Sequence, residues 1–126
     1  ITEAELTRVS KHFETMPYET LPAHDASFDT AIASNPAFAA WAKRSLHAHR
    51  APGYRAVTLS LKPHGKAPGD ATSEQMLVVA DLADAYSFGE LRVSHEQNLI
   101  LADVKLSDMF ALWEKARAAG LATPNI

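Results

Sequence analysis

The chain contains no cysteine. That excludes disulfides and thiolate-held metal sites or iron–sulfur clusters within it, and it suits the reducing interior of a cytoplasmic protein. No apolar run approaches the roughly 18 residues that a membrane-spanning helix needs. The start, Ile1 to Ser10, has no basic stretch followed by an apolar one, so no signal peptide is read there. Charge of neither sign dominates: 12 Lys and Arg against 15 Asp and Glu give a net charge of −3, with no overall basic field to attract nucleic acid. There is no internal repeat and no low-complexity segment. What is left is 126 residues, 47% hydrophobic and 21% charged, an ordinary composition for one globular domain. The first residue is not methionine and the last three are Pro124, Asn125 and Ile126; both ends are expected to be cuts inside a longer protein.

The first fifty residues have helical signals. Thr2 and Glu5 have capping-box spacing, and Leu6, Val9 and Phe13 mark one face of a helix over about Glu3 to Phe13. Met16 to Asp25, with Pro17 and Pro22, reads as a loop. A short helix is predicted around Phe28 to Ala33. Asn35 before Pro36 is an N-cap followed by proline in the first turn. It opens a helix whose stripe is Phe38, Trp41, Ala42 and Leu46, ending near Ala48. From Tyr54 the period changes to two: Val57, Leu59 and Leu61 alternate with Thr58, Ser60 and Lys62, as in a half-buried strand. Thr72 and Gln75 form a second capping box before a helix that Gly89 stops. Leu91 and Val93 alternate with Arg92 and Ser94, Asn98 to Val104 makes a third strand, and Ser107 caps a last helix closed by Gly120. The expected division is a helical extension over 1–50 and a β-α-β-β-α unit over 51–126. One more strand would complete the ferredoxin-like β-α-β-β-α-β order, so the fold class is α+β, with that edge strand following Ile126 or supplied elsewhere.

In such a unit the helices cover one sheet face. Val57, Leu59, Leu61, Leu91 and Val93 are expected to face them, leaving Thr58, Ser60, Lys62, Arg92 and Ser94 on the other. Two cations and three hydroxyls suit a ligand with carboxylates or oxyanions, through charge-assisted hydrogen bonds. A sheet with one wet face has the same pattern. His95-Glu96-Gln97-Asn98 reads equally as a turn in which Asn98 takes unusual dihedrals and as an amide pair holding a cofactor edge. His47 and His49, read as helical, would point about 200° apart and not converge on a metal. The strands carry no aromatic ladder for RNA, Lys62 to Gly69 lacks the P-loop pattern, and no Ser/His/Asp grouping is spaced for nucleophilic catalysis.

The segment Arg92-Val93-Ser94-His95-Glu96-Gln97-Asn98 resembles the R-x-T/S-x-x-Q-N segment of the sirohaem-dependent nitrite/sulfite reductases, in their repeated ferredoxin-like half-domain. The resemblance covers about Gly53 to Ile126. It is carried also by Tyr54–Gly65, Ala80–Arg92, Gln97–Leu101 and Gly120–Asn125. Glu96, where the first repeat commonly has arginine, and the Thr123-Pro124-Asn125 ending make it closer to the second repeat. The resemblance implies a six-electron reduction of sulfite to sulfide or nitrite to ammonia in the parent protein, with sirohaem and a [4Fe–4S] cluster as cofactors. None is expected in this segment, because the C-x5-C and C-x3-C ligands would lie downstream. The implied partners are the other repeat and the cluster-binding domains of the same chain, with an electron donor protein of unknown kind. Arg92, Gln97 and Asn98 match the motif as cofactor-site residues; Ser94 and Lys62 join them from face geometry. A rival reading is a stand-alone ferredoxin-like module that binds a small anion or dimerises through its open face.

Overall fold

A computed structural model describes residues 1–126. Both capping boxes form. Thr2 Oγ1 accepts from Glu5 N–H and the Glu5 carboxylate from Thr2 N–H, opening α1 (Glu3–Ser10) and a following 3₁₀ turn to Phe13. Thr72 and Gln75 do the same for α4 (Ser73–Tyr86). Asp25 caps α2 (Ala26–Ser34) by accepting from Phe28 N–H and Ser27 Oγ, and these bonds, the Ser27 one foremost, hold its carboxyl below the usual carboxylate range. Asn35 caps α3 (Pro36–Ser45) through Phe38 N–H.

The helix α3 stops three residues before the expected end. Leu46 and His47 form β1, paired antiparallel with Val57 and Ala56 of β2 (Tyr54–Leu59). A free sheet edge outcompetes further helical turns here, because its backbone groups need partners. Two strands follow α4: β3 (Arg92–Val93) and β4 (Leu99–Lys105). A 3₁₀ turn then leads into α5 (Met109–Ala118), and neither Ser107 nor Asp108 makes a side-chain cap. The sheet order is β1-β2-β4-β3, antiparallel throughout. This is the ferredoxin-like arrangement, with its outer edge supplied by β1 from the N-terminal side. Farther along that edge, Ser60 N–H donates to Leu121 O.

The core lies between one sheet face and the helices. Val57, Leu59, Leu61, Leu99, Leu101 and Val104 meet Val79 and Leu82 of α4, Leu112 and Trp113 of α5, and Phe38 and Trp41 of α3. Leu91 and Val93 do not join it: Val93 is 80% exposed. Val93 pairs with Leu99, so it is on the helical side by register, but it sits at the sheet edge where no helix lies over it. The stripe of α1 also stays out, with Phe13 80% exposed and no residue of the helix buried.

Candidate functional site

Register assigns the other sheet face. Arg92 stands opposite Ile100, and Ile100 opposite Thr58; His47 stands opposite Ala56, two residues from Thr58. These side chains share one surface, and a concavity of about 350 Å³ opens on it. His47, Thr58, Ser94, Glu96, Asn98 and Ile100 line it, with Ile126 at its rim. His47 Nε2 is 2.9 Å from Thr58 Oγ1.

The turn below the concavity explains why Ser94 and Asn98 converge. Ser94 N–H donates to Asn98 O, and Gln97 N–H to Ser94 O. The three loop residues His95, Glu96 and Gln97 therefore form a hairpin connection whose last member takes the left-handed region. That member is Gln97, with φ +63°, and not Asn98 as the turn reading expects. Asn98 is buried instead. Its Oδ1 accepts from Leu61 N–H at 3.3 Å, and its own N–H donates to Ser94 Oγ at 3.2 Å. The amide nitrogen is thus left for the concavity. Asn98→Ala is expected to cost about 1–3 kcal/mol, the penalty of a buried donor left without its partner, with faster amide exchange at Leu61. Denaturant unfolding with amide exchange checks both.

The five residues singled out in the sequence separate into two groups. Ser94 and Asn98 line the concavity, and Arg92 flanks it on the same face, its side chain 62% exposed and loosely paired with Glu90 at 3.6 Å. Gln97 packs toward Gly69, where an added Cβ would meet the Gln97 Cβ at 3.2 Å. Lys62 is half-buried, and its carbonyl accepts from Thr123 Oγ1 and Asn125 Nδ2. Ser60 is wholly covered, donating to Asn125 O at 2.6 Å. The final residues of the chain thus close part of a face expected to be wet.

A second polar cluster sits at the other end of this face. Between the Val57–Leu101 and Arg55–Val104 pairs, Ala56 alone opposes Ala102 and Asp103. This bulge turns Asp103 away from the core, while Val104 points back into it. Asp103 Oδ1 takes two hydrogen bonds of 2.7 Å, from Tyr18 Oη and His49 Nε2. Ala51 N–H donates to His49 Nδ1 at 2.9 Å; the ring proton therefore belongs on Nε2, facing Asp103. Burial first, then the bond to Asp103, pushes the Tyr18 phenol up to about 12. His47 and His49 are not helical, and each is committed to a different partner. Sequence reasoning overlooked this cluster; an aspartate inside the apolar run Leu99–Val104 was its one local sign.

The layout defines a class: a ferredoxin-like α+β domain with helices on one sheet face and a polar concavity on the other. The family model that matches, over residues 47–119, is the nitrite/sulfite reductase ferredoxin-like half domain. It covers more than half of the chain, and the chain belongs to that family. No curated protein and no solved structure gave a match. No helix is long and apolar enough to cross a membrane.

Proposed function

We propose that this chain is a half-domain of a sirohaem-dependent nitrite/sulfite reductase, the second of its two repeats, and that its polar sheet face builds part of the cofactor-site wall. The observation that carries this reading is the meeting of the family match with one surface. Ser94 and Asn98 of the matched segment line one concavity, and Arg92 stands on the same face beside it.

The donor set fits the edge of a polycarboxylate ligand. The Arg92 guanidinium has only a loose partner, Asn98 has a spare amide, and Ser94 adds a hydroxyl. Glu96 on the wall repels an anion, so a carboxylate would approach from the Arg92 side. Gln97 and Lys62 would act less directly, Gln97 by holding the turn and Lys62 by bearing on the chain's last residues. The chain offers no thiolate to an iron–sulfur cluster. The cluster's ligands would come from the cluster-binding domains of the parent. When bound there, sirohaem and the cluster would supply the electrons for reducing sulfite or nitrite. This chain's part is to orient and enclose.

Arg92→Ala in the whole reductase tests the site. Losing a charge-assisted bond weakens binding by roughly 10- to 150-fold, so sirohaem content and turnover should both fall. Unchanged content and turnover would remove Arg92 from the site. Reading the coding sequence past Ile126 tests the reading itself. C-x5-C and C-x3-C pairs support it, and an unrelated cysteine-free continuation leaves a stand-alone anion-binding or dimerising module.

A further inference from the structure

We infer that Met16–Pro22 is a releasable strap across the second half of the polar sheet face, latched by Asp103. The strap is attached by few contacts. Tyr18 Oη donates to Asp103, Glu19 N–H donates to Tyr54 Oη at 3.0 Å, and the Glu19 carboxylate pairs with Lys105 at 2.9 Å. Its last two residues, Leu21 and Pro22, lie directly on Gly53. No residue before Phe38 is buried, so the strap contributes nothing to the main core. A segment that adds nothing to the main core and is held by a handful of discrete bonds opens without global unfolding.

The latch is finely balanced. Asp103 is buried, yet its Oδ2 has no hydrogen-bond partner. Closure keeps that oxygen dry, and opening rehydrates it, so the two donors on Oδ1 must offset a desolvation cost. Of the two donors only Tyr18 Oη is carried by the strap, so removing it tips the balance toward the open form. The Tyr18 ring meanwhile fills a cup made by His49, Tyr54 and Phe88, with ring centroids 5.1 to 5.8 Å away. Lifting the strap uncovers that cup and joins it to the face bearing the concavity, since Tyr54 and Thr58 project from the same side of β2. This inference does not depend on the proposed reductase role.

Amide hydrogen exchange on the full chain tests it, with Tyr18→Phe and Asp103→Ala as two variants that each remove the Tyr18–Asp103 bond. The expected result is at least about tenfold faster exchange at Glu19 in both variants, with Leu101 in β4 unchanged. Equal acceleration at Leu101 would show that the strap opens only with the core. Unchanged exchange at Glu19, or a Glu19 amide already unprotected in the parent sequence, would show that Asp103 is no latch. Each of these results overturns the proposal.

Discussion

Phe38→Ala is expected to lower stability by about 3–5 kcal/mol, the usual range for removing a large aromatic from a packed core. Phe38 is 0% exposed and stands where α2, α3 and α5 meet. It makes edge contacts with Phe28 and Phe110, at 5.8 and 5.2 Å between centroids, and lies 6.0 and 5.4 Å from Trp41 and Trp113. Each oriented aromatic pair adds about 0.5–1.5 kcal/mol beyond area burial, so one truncation removes several such terms and leaves a cavity among rigid rings. A domain of this kind has a total stability of about 5–15 kcal/mol, and the variant should sit near its unfolding threshold. Denaturant titration checks it: the midpoint should fall with little change in slope. Trp41 and Trp113, the only tryptophans, flank the lesion and report it by fluorescence. Phe38→Leu should lose clearly less. Equal losses for both would mean that the aromatic contacts carry little of the energy.

The stripe that exposes Phe38 to this argument was legible in the sequence, as were the caps at Thr2, Asn35 and Thr72. Their cause lies within four residues of chain, so local spacing reveals them. What escaped was non-local. Leu46 continues the helical stripe of α3, and only the presence of β2 beside it makes Leu46–His47 a strand. Alternation placed Val93 on the correct side but could not say whether a helix would reach it. Asp103 falls in step with Leu99 and Leu101, so strict alternation would bury it in the core, and the bulge opposite Ala56 reverses that. Its partners lie 85 and 54 residues away, at Tyr18 and His49, beyond any motif's reach. The candidate site was legible to a corresponding degree. Arg92, Ser94 and Asn98 share a hairpin and could be found together, whereas His47 joins them only through the strand that the sequence concealed.

Gly53→Ala is expected to cost about 3 kcal/mol, from two sources that act at once. Gly53 has φ +82°, in the left-handed region, where a residue other than glycine is strained by roughly 1–3 kcal/mol. A Cβ there would also lie 2.7 Å from Leu21 Cβ and 2.8 Å from Pro22 O. One of those is backbone, so no rotamer change relieves the overlap, and the Leu21–Pro22 segment has to move. The sequence signals a break at Ala51-Pro52-Gly53 but not why glycine stands there; the reason is a chain segment 31 residues earlier crossing over it. The substitution should therefore separate two effects. Gly65 supplies the control: it too is left-handed, at φ +78°, but nothing lies within 4 Å of its added Cβ. Gly65→Ala should show the conformational strain alone. If Gly53→Ala loses no more stability than Gly65→Ala, the close approach of Leu21 and Pro22 is not a tight contact. If the loss is larger and amide exchange accelerates at Glu19, the crossing at Gly53 and the bond at Asp103 hold the same segment from its two ends.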